Sequence, residues 1–196
     1  MTRVYVVRHG QTDSNIRRTC LGLKDVPLNK KGRQQARELA ARFKNIDIDV
    51  VYTSPLKRAV ETISPYLELK GMNMRMSFGL IERDYGKWDD MTFEEIEREY
   101  PEEYMRWTEE LISYKVPDGE SAEDVQKRVN AFLEKMLREN DGKTIMLVTH
   151  LGTARHIISS LLGLSTAQSW CFSIENGGVA VIDCEDGRGV LRELRK

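Results

Sequence analysis

Apolar and polar positions along the chain follow two periods that alternate. Short apolar runs predict buried strands in "RVYVV", "DVVYTSP", "MNMRMSF", "TIMLVTH", "GVAVIDC" and "GVLREL". Between them, "NKKGRQQARELAARF", "ESAEDVQKRVNAFLEKMLRE" and "ARHIISSLLG" place apolar side chains three and four residues apart, as amphipathic helices do. This alternation predicts an α/β fold, in which a mainly parallel sheet is the middle layer of a three-layer sandwich with helices on both faces.

Polar residues at the ends of the apolar runs predict where helices begin. Asn29 is expected to cap the first long helix, and Ser121 with Asp124 has the spacing of a capping box. After the second strand, Ser54 is expected to be the N-cap of a helix with Pro55 at its first position, because proline has no N–H to lose there. The second strand is therefore expected to run directly into a helix.

Residues 92–114 have a helical pattern that is polar and aromatic, with a break at Pro101. We interpret this region as part of a small cap or lid insertion at about residues 83–118. The chain has 196 residues and contains no Pro-, Gly- or Ser-rich linker and no repeat. We therefore expect residues 1–196 to form a single domain that carries this cap.

Charge and composition narrow the class of function. Thirty Lys and Arg residues against thirty-one Asp and Glu give a net charge of −1, so the global balance favours neither nucleic acid nor an anionic membrane as a partner. The start lacks the pattern of a signal peptide and no apolar run could span a bilayer, so a cytoplasmic location is expected. The three Cys residues lie in no metal-ligand spacing, which predicts reduced thiols and no metal site.

Three predicted strand ends carry cationic or titratable residues, namely Arg8 and His9, Arg58 shortly after the second strand, and His150. Each of them alone fits a structural role, such as a solvated strand end, a surface Arg or a core His. Ligands in open α/β sheets bind at the carboxyl ends of strands, so their coincidence there indicates a site. The Arg fork and helix N-terminal N–H groups favour phosphate. We interpret His156, within a helix, as structural.

Five segments together resemble the histidine phosphatase superfamily, also called the phosphoglycerate mutase-like family, and its small phosphatases in particular. They occur in the family's order and are "RHGQTDSN", "SPLKRAVET", "LIERDYGKW", "PDGESAEDVQKR" and "VTHLGTAR". No Gly-rich loop followed by Lys-Ser or Lys-Thr is present, and no Cys is followed six positions later by Arg, so two other phosphate-handling motifs are missing. The resemblance implies the phosphoglycerate mutase-like fold.

The resemblance also implies a role for each matching residue. His9 would be the nucleophile that takes the phosphoryl group, Glu82 the proton donor, and Arg8, Arg58 and His150 the clamp on the phosphate oxygens, with Asn15 as a further donor. A neutral imidazole can attack phosphorus directly, so this chemistry requires no metal and no cofactor. The implied activity is hydrolysis of a small phosphorylated metabolite through a phosphohistidine, with a sugar phosphate, a phosphoglycerate-type ester or α-ribazole phosphate as substrate.

Two positions depart from the family pattern. Leu151 directly follows His150 where the family commonly has Gly, and "WDD" at residues 88–90 replaces an acidic-Gly pair. If position 151 needs a positive φ, Leu would cost about 1 kcal/mol there. Alternatively, the Leu151 side chain narrows the pocket.

The sequence is compatible with three functions. Cofactor-dependent mutases of the family are longer, and the stretch from residue 83 to 149 looks too short for their insertion, which favours a phosphatase over a phosphoglycerate mutase. Arg83 and Tyr85 resemble mutase substrate-binding positions and indicate an acidic or polar substrate. The third alternative is an idle member that binds phospho-ligands or proteins. We expect a small phosphate ester as the partner and leave a homodimer open.

Overall fold

The computed structural model describes residues 1–195, and its centre is a six-stranded sheet. The strands are β1 (Thr2–Arg8), β2 (Val50–Thr53), β3 (Met74–Met76), β4 (Thr144–Thr149), β5 (Val179–Glu185) and β6 (Arg188–Arg195). They lie in the order β3-β2-β4-β1-β5-β6, in which the first four are parallel and β5 and β6 are antiparallel additions at one edge. The prediction of a mainly parallel sheet is therefore confirmed.

Seven helices connect or follow the strands. They are α1 (Asp13–Arg17), α2 (Lys30–Phe43), α3 (Lys57–Lys70), α4 (Phe93–Glu99), α5 (Pro101–Glu109), α6 (Ala122–Glu139) and α7 (Leu151–Leu161). Short 3₁₀ turns lie at Phe78–Leu80, Gly86–Trp88 and Ala167–Cys171. Within residues 1–195, none of these helices combines the length and the apolar character needed to cross a membrane.

The alternation of side chains along β1 explains the three layers. Val4 and Val6 belong to a core that also contains the apolar faces of α6 and α7. Tyr5 and Val7 point to the other side, where they join a core built with α2 and α3. Because successive strand residues face opposite sides, the buried run "RVYVV" supplies both cores and confirms the sandwich with helices on both faces.

A third apolar cluster lies apart from these two cores. It is built around Trp88, which is fully buried and stacks on Tyr114 with ring centres 5.9 Å apart. Ile96 of α4, Val116 and Cys20 complete the cluster. Except for Cys20, its buried members fall within residues 83–118, the segment that we interpret as a cap.

The predicted helix start at Ser54 is wrong. Helix α3 begins at Lys57, and its N-cap is Leu56, which makes no side-chain capping bond. The Ser54 hydroxyl bonds to the ring of His150 instead, at 2.8 Å, and accepts a longer bond from the Leu56 N–H. Pro55 therefore lies before the helix, because the serine that would have capped it is engaged with a buried histidine.

The other predicted boundaries differ less. Asn29 accepts from the Gly32 N–H as an N-cap, and Ser121 and Asp124 form the expected capping box. Pro101 is the first residue of α5, so it separates two short helices as predicted, although α5 ends at Glu109 rather than near 114. The third strand is reduced to three residues at the sheet edge, and α7 begins three residues earlier than "ARHIISSLLG" suggests.

Candidate active site

A cavity of about 230 Å³ opens where β1 and β4 end. It is lined by Arg8, His9, Asn15, Thr19, Cys20, Leu21, Glu82, Arg83, Tyr85, Phe93, Trp107, Ala122, Leu151, Gly152, Arg155, His156, Ser169 and Trp170. A larger open depression of about 630 Å³ lies near Met1 and between α6 and α7, but it contains none of the site residues predicted from the sequence. We therefore place the candidate site in the smaller cavity.

The register of the sheet brings the two strand-end histidines together. Arg8 is paired with Thr149 in the parallel ladder, and the His9 N–H donates to the Thr149 carbonyl at 2.9 Å. The rings of His9 and His150 consequently lie with their centres 5.1 Å apart. Both residues are buried, so the strand ends deliver two imidazoles side by side in a largely desolvated position.

Backbone geometry fixes the tautomer of His9. Its Nδ1 lies 2.7 Å from the carbonyl oxygen of Gly10, and because a carbonyl only accepts, Nδ1 must carry the proton. Nε2 is then unprotonated and carries a lone pair. Burial, with the nearby charges of Arg58 and Arg8, holds the pKa of His9 well below its usual value, so the ring is neutral at physiological pH.

The loop after His9 is held by close approach to α2. The Gly10 N–H donates to Thr62 Oγ1 at 2.9 Å, and Asn176 Nδ2 donates to the His9 carbonyl at 3.1 Å. A Cβ on Gly10 would lie 2.7 Å from the Gly32 carbonyl oxygen, so this contact requires glycine. These two bonds and the close contact with α2 hold the backbone at His9 and Gly10.

Arg58 and His150 lie beneath the cavity, and neither is among its lining residues. Arg58 Nε donates to His150 Nδ1 at 3.0 Å, and its two Nη groups donate to the carbonyls of Lys24 and Gly22 at 2.8 and 2.6 Å. Because Nδ1 of His150 accepts, its proton sits on Nε2 and is donated to Ser54 Oγ. Burial, and next the charge of Arg58, lowers the pKa of His150 well below its usual value.

Arg8 and Asn15 both reach the cavity, as predicted. Arg8 Nη1 donates to the Ile174 carbonyl at 2.8 Å, while its Nε is buried and has no hydrogen-bond partner in residues 1–195. Burial lowers the pKa of Arg8 to about 10, so the side chain remains charged at neutral pH. Asn15 Oδ1 accepts from the Thr12 N–H and from Asn176 Nδ2, both at 3.0 Å. The buried donor of Arg8 is the kind of group that an anionic ligand would satisfy.

The carboxyl group of Glu82 is hydrogen-bonded to the N-terminus of α7. Its Oε2 accepts from the Gly152 N–H at 3.0 Å, and its Oε1 accepts from the N–H groups of Thr153 and Arg83 at 3.1 and 2.9 Å. A Cβ on Gly152 would lie 2.6 Å from Oε1. Glycine at 152 therefore leaves room for the Glu82 carboxyl at the cavity wall.

Leu151 adopts an unstrained backbone conformation. Leu151 is the first residue of α7 and is not among the residues with positive φ, which outside glycine are Arg18, Asp90, Asp118 and Asp186 within residues 1–195. Of the two alternatives for position 151, a positive φ is therefore excluded, because helix α7 itself begins there. The Leu151 side chain lines the cavity, as the alternative of a narrowed pocket requires.

The two acids of "WDD" stabilise the loop that holds Arg58. Asp89 accepts from the N–H groups of Gly22 and Lys24, both at 2.7 Å, and the carbonyls of these two residues receive Arg58. Asp90 adopts a φ of 64° and bonds to Lys24 Nζ at 2.8 Å. Burial raises the pKa of Asp90, but hydrogen bonds from Lys24, Ser14 and Thr19 outweigh it and lower the pKa to about 2.

Arg83 and Tyr85 line the cavity from its cap side. Arg83 uses hydrogen-bond donors within the protein: its Nε and Nη2 donate to the carbonyls of Glu120 and Tyr114 at 2.9 and 3.1 Å. Its guanidinium carbon lies 5.5 Å from the centre of the Tyr85 ring. Burial raises the pKa of Tyr85, so its phenol stays protonated.

Arg155 and His156 are polar residues of the cavity wall that sequence reasoning did not assign to the site. Arg155 lines the cavity one helical turn after Leu151, and a correct start for α7 would have placed both on one face. His156 also lines the cavity, although it has the polar partner expected of a structural histidine: its Nδ1 lies 2.9 Å from Gln126 Oε1. No group of three His, Cys, Asp or Glu residues within residues 1–195 is arranged to hold a metal ion.

Comparison with known proteins places this arrangement in a family. The chain is 34% identical to phosphoserine phosphatase 1 of Hydrogenobacter thermophilus over 99% of its own length and 92% of that protein. It is 29% identical to the Citrobacter koseri protein named "Probable phosphoglycerate mutase GpmB", over 95% and 86% of the two chains. The structure of the alpha-ribazole phosphatase from Shigella flexneri matches with a TM-score of 0.94 at 25% identity, over 99% and 96% of the two chains. The model of the histidine phosphatase superfamily (branch 1) matches residues 4–196, and the chain belongs to that superfamily.

Proposed function

We propose that this protein is a phosphatase that hydrolyses a small phosphomonoester through a phosphohistidine formed on His9, without a metal ion. The observation that carries the proposal is the orientation of the His9 ring. Its Nδ1–H is bonded to the Gly10 carbonyl, so the unprotonated Nε2 is the nitrogen available for attack. The depressed pKa keeps that nitrogen free of a proton over the physiological range.

In the first step, His9 Nε2 forms a bond to phosphorus while the bond from phosphorus to the ester oxygen breaks. Glu82, which must carry the proton at that moment, gives it to the departing oxygen, and the substrate leaves as an alcohol. Arg8 and Asn15 lie at the cavity wall to hold the transferring group. The charges of Arg8 and Arg58 offset its negative charge, while the neutral His150 ring positions Arg58 through its Nδ1. Catalysis of phosphoryl transfer depends mainly on such positioning and electrostatic stabilisation by the protein.

In the second step, water attacks the phosphohistidine. Glu82, now a carboxylate, takes a proton from that water, the N–P bond breaks, and inorganic phosphate leaves His9 in its starting tautomer. Gly152 and Thr153 hold the Glu82 carboxyl at the α7 N-terminus in both steps. One carboxyl group thus alternates between acid and base.

The size of the cavity supports a small substrate. Its volume of about 230 Å³ falls below the roughly 300–1,000 Å³ of pockets that enclose drug-sized ligands. A phosphorylated three-carbon acid or a small sugar phosphate suits that volume better than α-ribazole phosphate, which carries a dimethylbenzimidazole on its ribose. We assign residues 83–118 the part of a cap, because Arg83, Tyr85, Phe93 and Trp107 of this segment line the cavity.

The first test measures phosphate release in EDTA from phosphoglycerates, phosphoserine, sugar phosphates, α-ribazole phosphate and p-nitrophenyl phosphate. Replacing His9 by Ala should lower kcat by at least about a thousandfold, because the nucleophile is removed. His156→Ala serves as a matched histidine control and should retain His9-dependent turnover. After alkaline denaturation, the wild-type enzyme should retain labelled phosphate that His9→Ala lacks.

Three results would contradict the proposal. Phosphate release that persists in His9→Ala would exclude His9 as the nucleophile. If no ester is hydrolysed but 2- and 3-phosphoglycerate interconvert, the protein is a mutase. A panel that is neither hydrolysed nor interconverted leaves a binding role as the surviving function.

A further inference from the structure

Arg155 presents a guanidinium group to the cavity that the protein itself uses only in part. Its Nε donates to the Phe172 carbonyl at 2.7 Å, and its guanidinium carbon lies 5.0 Å from the centre of the Trp170 ring. Within residues 1–195, neither Nη group makes a hydrogen bond and Arg155 forms no salt bridge. The stacking on Trp170 and the anchored Nε hold the planar fork in place, so two aligned donors remain for a ligand.

The other arginines of the site either lie beside the transferring phosphoryl group or donate their hydrogen bonds to the protein. Arg8 and Arg58 flank His9, where the phosphoryl group is transferred. Arg83 donates to two backbone carbonyls and packs against Tyr85. Arg155 is therefore the cavity cation with the most donor capacity left for the part of the substrate that is not phosphate.

The balance of charge in the cavity favours a second anionic group. Among the described residues, the lining contains three arginines but a single carboxylate, Glu82. Arg155 interacts electrostatically with Glu82 and with Arg8, so these charges share one site. Burial lowers the pKa of Arg155 because the cation is partly desolvated, and an anion bound to it would offset that cost.

The polar neighbours of Arg155 cannot bind this second anionic group in its place. His156 donates its Nδ1–H to Gln126 Oε1, and burial, followed by the charges of Arg128, Arg83 and Arg155, lowers its pKa to about 4. Its Nε2 therefore carries no proton and cannot donate to an anion. Ser169 Oγ donates to the Thr166 carbonyl at 2.7 Å. A carboxylate at this wall would thus find its donors on Arg155, whose fork matches carboxylate geometry.

We propose that Arg155 binds a carboxylate on the non-phosphate end of the substrate, so that the substrates are small phosphomonoesters that carry a carboxylate. This inference rests on the proposed phosphatase function and names its substrate class. It predicts that the carboxylate, rather than the amine or hydroxyl beside it, contributes most to recognition outside the phosphate.

Two matched pairs of esters isolate the carboxylate. Phosphoserine differs from phosphoethanolamine by that group, and in 3-phosphoglycerate a carboxylate replaces the terminal hydroxymethyl of glycerol 3-phosphate. In the wild type, kcat/KM should be higher for the carboxylated member of each pair. Arg155→Gln should reduce the ratio within each pair by roughly 10- to 100-fold, mainly through KM, the range expected for a charge-assisted bidentate contact.

Control variants separate charge from structure. Arg155→Lys, which keeps the charge but loses the fork, should restore the ratio in part. Arg138→Gln replaces an exposed arginine at the end of α6 and should leave the ratio at its wild-type value. An equal loss for both members of a pair in Arg155→Gln would show a structural role and overturn the inference.

Binding to the inactive His9→Ala variant distinguishes the two proposals. Calorimetry should show tighter binding of phosphoserine than of phosphoethanolamine, and Arg155→Gln in that background should remove the difference. If His9-dependent hydrolysis of p-nitrophenyl phosphate is found but neither pair is discriminated, the carboxylate inference fails and the phosphatase stands. If calorimetry discriminates the pairs but no ester is hydrolysed, the phosphatase proposal fails and the carboxylate site stands.

Discussion

The Ser54 hydroxyl provides the hydrogen-bond acceptor for the ring proton of the buried His150. His150 accepts from Arg58 through Nδ1 and donates to Ser54 through Nε2, whereas the neighbouring ring of His9 donates through Nδ1. The two imidazoles therefore hold their protons on opposite nitrogens. Without the Ser54 oxygen, the His150 Nε2 proton would be left buried with no acceptor, at a cost of about 1–3 kcal/mol.

Replacing Ser54 by Ala should lower kcat by about tenfold and change KM much less, because the His150 ring would lose its orienting partner. Steady-state kinetics on the best ester of the panel would measure both constants. Ser64→Ala is the matched control, since Ser64 Oγ bonds to the Val60 carbonyl within α3, away from the cavity. If the two serine variants behave alike, Ser54 has no orienting role.

Of the candidate site residues, only those at predicted strand ends could be found from the hydrophobic pattern, whereas Asn15 and Glu82 were named from the family resemblance. Arg8, His9 and His150 could be placed there because apolar runs predict strands and parallel strands end at one edge. Ser54 was predicted to cap a helix, because a serine before a helix is equally suited to an N–H or to an imidazole and only the tertiary contact decides. Arg155 was missed because its helix begins earlier than the apolar pattern indicates.

At the scale of elements, the N-terminus of α7 positions the candidate proton donor. Gly152 and Thr153 are the second and third residues of this helix, and their N–H groups have no intrahelical acceptor. Glu82, which follows the 3₁₀ turn at Phe78–Leu80, supplies the missing acceptors. The free N–H groups at the start of α7 and the carboxyl group carried by a distant loop therefore satisfy each other's hydrogen bonds.

Gly152→Ala should displace the Glu82 carboxyl, because the added Cβ would lie 2.6 Å from Oε1. The expected result is a loss of kcat of about 10- to 100-fold, since misplacing a catalytic group by a fraction of an ångström to one ångström has costs of that order. Kinetics of Gly152→Ala, Glu82→Gln and the double variant test this mechanism. The two losses should be strongly non-additive, and strict additivity would show that they act independently.

Element boundaries were the weaker part of the sequence prediction. The capping residues of α2 and α6 were found because a side-chain acceptor three positions before the N–H that donates to it is a local signal. The end of α5 and the short β3 were not found, because both depend on how neighbouring segments pack. The strand order also had no local signal, since sequence periodicity reports which segments are strands and not which strands are neighbours.

At the scale of the whole molecule, all three histidines of the chain are buried. Burial is the largest cause that lowers the pKa of each, for His156 to about 4 and for His9 and His150 well below the usual 6.5. The unfolded chain therefore takes up protons below about pH 6.5 that the folded chain does not. Stability rises with pH wherever the unfolded state binds more protons, so acid should destabilise this fold.

We expect the free energy of unfolding to fall between pH 7 and pH 5, with each buried histidine contributing a slope that approaches about 1.4 kcal/mol per pH unit below its unfolded pKa. Denaturant titrations at several pH values would measure it. His156→Gln should show a shallower slope than the wild type over the same window. The low-pKa carboxylates such as Asp90 titrate at lower pH, so an unchanged slope in His156→Gln would contradict the assignment to histidine.

The pairing of β1 with β4 has a consequence for the way the protein is made. During synthesis His9 leaves the ribosome well before its partner strands, because the strand that pairs with β1 on one side ends at Thr149 and the strand on its other side begins at Val179. Until those strands emerge, the apolar run of β1 has no partner and His9 has no His150 beside it. A nascent chain that stops before β4 carries His9, the proposed nucleophile, without the rest of the candidate site, and β1 is a segment that chaperones would have to shield.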